Sequence, residues 1–471
     1  MQMATEKTTS LPMLFVSGQQ RKEVLYVRSH PRGYPWYVIP SASSAFGHEC
    51  LSHGPLFSEL EVPERRSQPL RWSLQALHFT ALLMIYAADE ALQDRFKAAR
   101  RCVIEMFPRR RRPGKTYQGL IKAQNRLGPQ AVEALKDHLR GHHRRVAGPF
   151  WERLGWVPFA CDGSRVEVPR TTRNKELGCA GRKKTGPQLF LTTLYHMGTG
   201  LPWDWCIGKG TASERDHLRV MLAKLPPGSL VVADAGFTGY ALLQAMLAAG
   251  LSFLIRAGSN VSLLTDLDCE VDSDAQTVWL WPGDQRRSVP PLKLRLIRLK
   301  GVSGGKREMC LLTNVFDRER LSDEAAAILY RMRWGVELFY RSYKQTLRQR
   351  KLRSDAPRQA RWELHWGMTA LLLLGLMSVE AIVGRGRDPL SLSVAQALRV
   401  VRQAMSNSRC GRCPRLGVRL ADAIKDEYQR RSSKKAHDWP HKKNDPPPGT
   451  PKIRPATEKE SLLARQFTAA A

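Results

Sequence analysis

The segment with the clearest chemical pattern is residues 330–344, which read YRMRWGVELFYRSYK. On a helix that turns by about 100° per residue, its Tyr330, Arg333, Glu337 and Lys344 fall within one sector of ~60°. A carboxylate flanked by a guanidinium, an ammonium and a phenol suits a metal ion beside a phosphate better than a plain surface. The segment therefore predicts a helix with one polar face that could bind a metal ion and a phosphate.

The same predicted helix carries a separate apolar stripe. Its members recur at the three- and four-residue spacing of a helix that packs on a sheet. They are Met332, Val336, Phe339, Tyr343 and Leu347. One side of the helix is thus expected to face the core while the other presents the polar groups.

Two aspartates end apolar runs that predict buried strands. Asp162 ends the run in WVPFACD, and Asp234 ends the run in SLVVAD. Ligands gather where strands end and side chains emerge. If the two strands are neighbours, the two carboxylates lie side by side, and Glu337 from a helix over the sheet can complete an acidic cluster. Taken singly, each aspartate could be a turn or cap residue, and Glu337 could be solvated.

Three carboxylates this close together would need a cation. They would repel one another and take up protons unless divalent ions neutralised them. Mg²⁺, or Mn²⁺ in its place, is the natural occupant because it prefers hard oxygen ligands and shares its shell with water and phosphate. Two such ions could activate a water or a 3′-hydroxyl and stabilise the departing oxygen during in-line attack on a phosphodiester.

The charge of the whole chain indicates a polyanionic partner. Its 471 residues are 42% hydrophobic, which is enough for two or three domains with real cores. Lysine and arginine number 75 against 43 aspartates and glutamates, a formal charge of +32. Such an excess repels the folded chain from itself, and double-stranded DNA would neutralise it. The alternative is a protein that is merely basic.

The nine cysteines predict reduced thiols, because their number is odd and their spacing shows no disulfide framework. Cys410 and Cys413 form one C-x-x-C. A zinc site needs a second ligand pair, which His437 and His441 supply only loosely.

No segment predicts export or membrane insertion. Glu6 and Lys7 interrupt the N-terminus before an apolar run develops, so no signal peptide is expected. The strongest apolar run, residues 366–379, has fourteen uncharged residues, fewer than the ~20 that cross a bilayer. It predicts a buried helix over 362–384. The expected location is the cytoplasm, in association with the nucleoid.

Residues 1–150 read as a helical, basic region. Helices are expected over 73–100 and 129–145, and the run PRRRRPGK occupies 108–115. With the chain so cationic, we expect this region to bind DNA, although solvated charged faces are the alternative.

The pattern changes to strands and helices in residues 151–258. Three strands, with a hairpin between the second and third, precede a helix, a strand, a helix and a strand, which matches the first part of a ribonuclease H-like α/β core. Residues 259–322 predict a β-rich insertion with Gly, Pro and Asp turns. Residues 323–400 form the second part of the core, and residues 401–471 a basic, partly disordered tail.

The spacing Y-x₂-R-x₃-E-x₆-K at Tyr330, Arg333, Glu337 and Lys344 resembles the Tyr-Arg-Glu-Lys signature of insertion sequence 4 family transposases, which belong to the DDE superfamily. The resemblance covers about residues 156–384. It implies a ribonuclease H-like catalytic core with a β-rich insertion between the second aspartate and the glutamate.

Residue roles follow from the same resemblance. Asp162 in CDGSRV and Asp234 in VVADAGFTGY resemble the first and second aspartates, which with Glu337 would bind two metal ions. The positions of Arg333 and Lys344 imply contacts with DNA phosphates near the cut, the first by a bidentate fork and the second as a point charge. The remaining signature residue, a tyrosine, would add a phosphate hydrogen bond.

The family resemblance also implies a reaction course. Relatives nick the transposon end, form a hairpin with the released hydroxyl, reopen it and join the end to target DNA, and two ends held together imply a homodimer. They stack a flipped base on an aromatic residue of the insertion. Trp279 and Trp281 are candidates, with the core of the insertion as the alternative location, and Trp334 is a third possibility.

The predicted function is therefore cut-and-paste transposition of an insertion sequence through its terminal inverted repeats. One alternative is a catalytically inactive DNA-binding protein, which the presence of all three carboxylates and the full signature disfavours. The other is a stand-alone metal-dependent nuclease or resolvase, which gives no reason for the β-rich insertion or for strand joining.

Overall fold

The structure of the chain is a computed structural model. It describes residues 72–106, 112–180, 186–267, 276–300, 308–406, 416–426 and 449–469. Three predictions therefore lie outside the described residues. They concern the segment before residue 72, the first half of the basic run at 108–115, and the zinc site formed by Cys410 and Cys413 with His437 and His441.

Helices occupy the described residues that precede the first strand. They are α1 (Leu74–Tyr86), α2 (Leu92–Met106), α3 (Tyr117–Leu127) and α4 (Gln130–Ala147). The single helix predicted over 73–100 is two helices, because Ala87 leaves the helical conformation at φ −56° and ψ 143°. Ser73 begins α1 by accepting a hydrogen bond from the Ala76 N–H at 3.2 Å, as an N-cap residue does.

A mixed sheet of ten strands forms the centre of the described structure. The strands are β1 (Val157–Glu167), β2 (Gln188–His196), β3 (Leu201–Lys209), β4 (Ser229–Ala233), β5 (Ser252–Ala257), β6 (Ser262–Thr265), β7 (Thr277–Leu280), β8 (Leu292–Leu299), β9 (Met309–Thr313) and β10 (Lys452–Pro455). Their order is β10-β6-β7-β8-β9-β5-β4-β1-β2-β3. β1, β2 and β3 are antiparallel, whereas β1, β4 and β5 are parallel. The predicted mixed sheet and its hairpin are confirmed.

Helices cover both faces of this sheet. The remaining ones are α5 (Glu214–Met221), α6 (Tyr240–Ala248), α7 (Asp323–Met332), α8 (Gly335–Arg341), α9 (Pro357–Val383), α10 (Val394–Ser406), α11 (Leu416–Ala421) and α12 (Glu458–Ala469). Side chains alternate along the strands, so Ala160 and Val232 share a core with α1, α8 and α9. Phe159 and Val231 face the other way and pack with α5 and α6.

The long apolar helix α9 is a core helix. It is long and apolar enough to cross a membrane by length and composition alone, but 78% of its most apolar window is buried inside the protein. The prediction of a buried helix over 362–384 is confirmed, with an earlier start at Pro357.

Helix α4, which was expected to grip DNA, turns part of its charge inward. Lys136 Nζ lies 2.6 Å from Asp204 Oδ1 on β3, and Arg140 Nη1 lies 3.3 Å from Asp204 Oδ2. These pairs are shielded from solvent and attach the helix to the sheet. Arg144 and Arg145, at its end, are exposed, so only part of the helix is available to DNA.

Residues 259–322 extend the central sheet through β6 to β9, and β9 joins β5 in antiparallel pairing. Residues 449–469 add β10 alongside β6 and then α12. Phe467 of α12 packs edge-on against Trp281 at 6.4 Å, and Ala464 is buried in the same cluster. The expected disorder therefore does not apply to these last residues, because α12 has an apolar side that covers the end of the sheet.

Candidate active site

The two predicted aspartates lie at adjacent positions of neighbouring strands. β1 and β4 pair in parallel up to Cys161 opposite Ala233, so Asp162 and Asp234 are the next residue on each strand. The condition for side-by-side carboxylates is met. Asp162 does not end its strand as predicted, because β1 remains paired with β2 up to Glu167 although its burial decreases from Asp162 onward.

Local hydrogen bonds fix the orientation of both carboxylates. Asp162 Oδ1 accepts from the Gly163 N–H at 2.9 Å, and Asp234 Oδ1 accepts from the Gly236 N–H at 2.8 Å. Asp234 thereby caps the short 3₁₀ turn that follows β4. Asp234 is therefore a cap residue, as one interpretation of the sequence expected. Its other carboxylate oxygen could still bind a metal ion.

The surroundings of Asp162 disfavour the charged form of its carboxyl group. Burial, with smaller contributions from the nearby Asp234 and Glu214, raises the pKa of Asp162 to about 7, while the Gly163 N–H and Arg333 oppose the increase. This is the behaviour expected of a carboxylate that is partly desolvated and close to others of the same charge. A cation bound here would favour the ionised form.

The segment that carries the four-residue signature is not one regular helix. A tight turn separates α7 from α8, and a π-helical turn at residues 342–346 follows α8. In the turn between α7 and α8, the Val336 N–H donates to the Arg333 carbonyl and the Glu337 N–H donates to the Trp334 carbonyl, both at 3.1 Å. A Cβ on Gly335 would lie 2.8 Å from the Tyr195 hydroxyl, so glycine allows this close approach. The prediction of a continuous helix is therefore corrected.

Arg333 lies at the centre of the predicted residues. Its Nη2 is 3.1 Å from Glu337 Oε1, and its guanidinium carbon is 5.7 Å from the centre of the Tyr330 ring. Burial lowers the pKa of Arg333, but Tyr330 and three carboxylates outweigh that effect and raise the pKa. Those carboxylates are Asp234, Glu337 and Asp162. One guanidinium thus interacts electrostatically with all three predicted metal ligands and contacts Glu337 directly.

The other two signature residues occupy different surroundings. Lys344 Nζ donates to Ser164 Oγ at 2.7 Å, which places the ammonium beside β1 two residues beyond Asp162. Tyr330 is only 8% exposed, and its hydroxyl is hydrogen-bonded to the Arg256 side chain on β5. Burial raises the pKa of Tyr330. Lys344 therefore lies near Asp162, on the same strand as its partner Ser164. Tyr330 instead packs its ring against the Arg333 guanidinium.

Sequence reasoning missed several residues of this site. The Tyr340 hydroxyl donates to the Asp162 carbonyl at 2.8 Å and attaches α8 to β1. Its signal was an aromatic residue with a polar tip next to the apolar stripe. Arg256, the single charge in the strand SFLIRA, gave a signal of the same kind. Glu214 was hidden in the first turn of a predicted helix.

The tryptophans divide into buried and exposed ones. Trp279 and Trp281 are 6% and 3% exposed, and Trp281 Nε1 donates to the Val289 carbonyl at 2.7 Å. Both rings fill a small core, which is the alternative considered for them. Trp334, directly after Arg333, is 56% exposed.

The carboxylate oxygens of the site are ligands of the kind that a divalent cation prefers. In the described structure they do not converge on a single position. Asp162 and Asp234 provide adjacent hard oxygen donors. Glu337 is held by Arg333 instead. Among the residues that the structure describes, no three His, Cys, Asp or Glu side chains are placed to hold one metal ion together.

In sequence, the chain is similar to known transposases. A family model described as a transposase DDE domain matches residues 157–373. The transposase InsG of insertion sequence element IS4 from Escherichia coli is 25% identical over 334 residues, covering 66% of this chain and 73% of that protein. A cryo-EM structure of the piggyBac transposase synaptic complex with hairpin DNA is similar at a TM-score of 0.38 and 13% identity, covering 80% of this chain and 82% of that one.

Proposed function

We propose that this chain is a DDE transposase related to those of the insertion sequence 4 family, and that it cuts its element from DNA at the terminal inverted repeats and pastes it elsewhere. The observation that supports this most is the adjacency of Asp162 and Asp234 on β1 and β4, with Arg333 linking them to Glu337. The proposed setting is the cytoplasm, at the nucleoid, with a homodimer bound to paired ends.

The proposed catalytic core is ribonuclease H-like. Its support is the strand order β3-β2-β1-β4-β5, in which the first three strands are antiparallel and β1, β4 and β5 are parallel. In this arrangement the residues that leave β1 and β4 share one edge, which is where ligands gather in open α/β sheets.

Asp162, Asp234 and Glu337 are the residues that would hold two Mg²⁺ or Mn²⁺ ions. The chemistry that bound divalent ions supply in such a centre is activation of the attacking oxygen and stabilisation of the departing one. In the free protein Glu337 is paired with Arg333 at 3.1 Å. A DNA phosphate competes for that guanidinium, because it accepts the bidentate fork of an arginine. Glu337 would then be released toward the two aspartates.

The other two signature residues, Lys344 and Tyr330, would contribute to DNA binding at the site. Lys344 beside Ser164 provides a point charge next to the strand that carries Asp162. Tyr330 contacts Arg333 with the face of its ring, which supports a role in orienting the guanidinium in addition to the predicted phosphate hydrogen bond. The proposed steps are nicking, hairpin formation, hairpin opening and joining of the end to target DNA.

One product assay tests this proposal. Purified protein is incubated with labelled element-end DNA and Mg²⁺, and the products are separated under denaturing conditions. Hairpin and joined products are expected. Binding without cleavage would instead identify an inactive DNA-binding protein, and cleavage without joining would identify a stand-alone nuclease.

DNA affinity should depend steeply on salt. The net charge of +32 implies that binding releases many counterions, so affinity should fall by about 10³-fold or more between roughly 50 and 200 mM salt. A fluorescence anisotropy titration at several salt concentrations measures the slope. A duplex of equal length without the terminal repeat should bind more weakly with a comparable slope, whereas a flat response would exclude the basic surface from DNA binding.

The exposed Trp334 is proposed as the aromatic residue that stacks on an unpaired base. Trp334→Ala should leave stability within about 0.5 kcal/mol but weaken binding of end DNA with an unpaired base by about 1–3 kcal/mol. The buried Trp281 is the matched control. Trp281→Ala should lower the free energy of unfolding by about 3–5 kcal/mol. Thermal melts and anisotropy distinguish the two, and an unchanged affinity of Trp334→Ala for that DNA would contradict the assignment.

A further inference from the structure

Four arginines from three parts of the chain surround the short connection between α1 and α2. This arginine cluster consists of Arg95, Arg348, Arg353 and Arg402. Two of its members bind the backbone of the connection. Arg95 Nε, in α2, donates to the Asp89 carbonyl at 2.5 Å, and Arg402 Nε, in α10, donates to the Tyr86 carbonyl at 2.8 Å.

The other two members share one carboxylate, that of Glu90. Arg348 Nη1 lies 2.7 Å from Glu90 Oε1, and Arg353 Nη2 lies 2.9 Å from Glu90 Oε2. Each oxygen of the carboxylate thus binds a different arginine. The Glu90 side chain is 73% exposed, so the pair is open to solvent and to a competing anion. Among the described residues, no other carboxylate forms an ion pair with a member of the cluster.

The positive charge of the cluster is incompletely balanced. Burial lowers the pKa of Arg95, and Arg353 lowers it further, while Glu363 and Glu90 oppose the decrease. The buried Glu363 is itself bound by the backbone N–H groups of Arg353 and Ser354. In addition, Arg353 Nη1 is buried without a hydrogen-bond partner among the described residues. An anionic ligand would supply the missing charge and acceptor atoms.

The cluster lies beyond the end of β1, the strand that carries Asp162. Lys351 forms a β-bridge with Glu167, and the Leu352 N–H donates to the Glu167 carbonyl at 2.8 Å. Arg353 is the next residue. The five residues from Asp162 to Glu167 span ~17 Å at about 3.3 Å per residue, which duplex DNA covers in about five base pairs. A duplex that is cut at Asp162 therefore extends far enough to meet the cluster.

We infer that the arginine cluster binds a backbone phosphate of duplex DNA outside the cleavage site. In the free protein Glu90 occupies Arg348 and Arg353, and in the complex the phosphate takes its place, because arginine binds phosphate through the same fork. Phosphate contacts carry no sequence information, so the cluster positions the duplex and does not read the terminal repeat. The inference rests on the proposed function, since the duplex is the one bound for cleavage.

Arg348→Gln tests this inference, because Arg348 is the most exposed member of the cluster at 55%. Affinity for element-end DNA should fall by about 5- to 10-fold at roughly 0.1 M salt, since one phosphate contact changes log affinity by about 0.9 per tenfold change in salt. The salt dependence should become less steep by the same ~0.9. An unrelated duplex of equal length should lose the same factor. Fluorescence anisotropy measures both.

The matched control is Arg385→Gln. Arg385 also pairs with an exposed carboxylate, that of Asp422. It follows the last residue of α9, whereas Glu363 beside the cluster lies near the start of that helix, ~30 Å away at 1.5 Å per residue. The control should bind both duplexes as the parent does. Parent-like affinity and salt dependence of Arg348→Gln would overturn the inference.

Glu90→Gln distinguishes a DNA contact from an ion pair that only holds the α1–α2 connection. Removing the competing carboxylate should raise the affinity for both duplexes by about 2- to 5-fold, the usual worth of an exposed ion pair. Asp422→Asn, which removes the carboxylate of the control pair, should not change it. If Glu90→Gln and Arg348→Gln both lower the melting temperature and leave DNA affinity unchanged, the cluster is structural and the inference fails.

Neutral methylphosphonate linkages placed one at a time along the element end identify the contacted phosphate. At that linkage the substitution should weaken binding of the parent and have little effect on Arg348→Gln. Equal losses for the two proteins at every linkage would contradict the inference. If the parent binds and cleaves the DNA but Arg348→Gln has the same affinity, only the cluster is removed; if the parent binds neither duplex, the proposed function fails as well.

Discussion

Replacing Glu337 with glutamine is expected to lower the rate of DNA cleavage by about 10²–10³-fold, while binding of the element end stays nearly intact. Removal of one preorganised charged group at a reacting centre typically costs about 10²–10³-fold. Glutamine keeps the size of the side chain and an oxygen that can accept from Arg333, so the fold and the DNA-binding surface should persist. Single-turnover cleavage and anisotropy on the same labelled DNA measure the two effects.

The control for this variant is Glu319→Gln. Glu319 is exposed and precedes α7, so the same change of charge there should leave cleavage unaffected. If Glu337→Gln cleaves DNA as fast as the parent protein, Glu337 has no part in the mechanism.

Removal of divalent ions should abolish cleavage and joining completely, while DNA binding persists. The carboxylates that the site brings together have no catalytic use for DNA without a cation, whereas binding depends on the basic surface. Protein stripped with EDTA should regain activity on addition of Mg²⁺ or Mn²⁺. Asp162→Asn should not regain it, because the variant lacks one of the two adjacent donors.

Asp94→Asn provides the comparison for Asp162→Asn. Asp94 forms an exposed pair with Lys97 at 2.9 Å on α2, and this variant should recover activity with Mg²⁺ as the parent does. Cleavage by EDTA-treated protein that lacks added metal, or full recovery by Asp162→Asn, would rule out the metal centre.

The positions of the two aspartates followed from the sequence because burial ends where each apolar run ends. The bounds of the strands did not follow. β1 continues to Glu167 because it pairs with β2, and pairing between distant segments leaves no trace in a local run of apolar residues. The adjacency of Asp162 and Asp234 likewise depends on the parallel register of β1 with β4, which could be stated from the sequence only as a condition.

The signature segment shows the same limit. Its spacing places Arg333 and Glu337 on one face, and the two side chains are indeed paired at 3.1 Å. At the break between α7 and α8, Gly335 allows the close approach of Tyr195, a contact between residues far apart in the chain. Periodicity treats the segment as one ideal helix and does not detect such a contact.

Glu214 illustrates what a local pattern omits. The cap residue Ser213 predicts that a helix begins near this position, and α5 does begin there. Which side chain of its first turn lies against the segments that follow Asp162 and Asp234 depends on the space left by Gly163 and Gly236. These glycines lie on other segments, so only the folded chain brings the three residues together.

In the protein without DNA, Glu337 is paired with Arg333. The arginine balances part of the acidic charge, since it is close to Asp162 and Asp234 as well as Glu337. On the proposed function, the phosphate of an element end would take over this guanidinium, and the glutamate would complete the metal-binding set. DNA binding and metal binding should therefore favour each other.

The most direct test is to locate Mn²⁺ by anomalous scattering in crystals of the full chain bound to its element-end DNA. We predict Mn²⁺ within about 2.6 Å of carboxylate oxygens from Asp162, Asp234 and Glu337, as for hard cations on oxygen ligands, with Arg333 on a phosphate. Mn²⁺ bound elsewhere, with Glu337 still paired to Arg333, would contradict the claim that these three carboxylates form one centre.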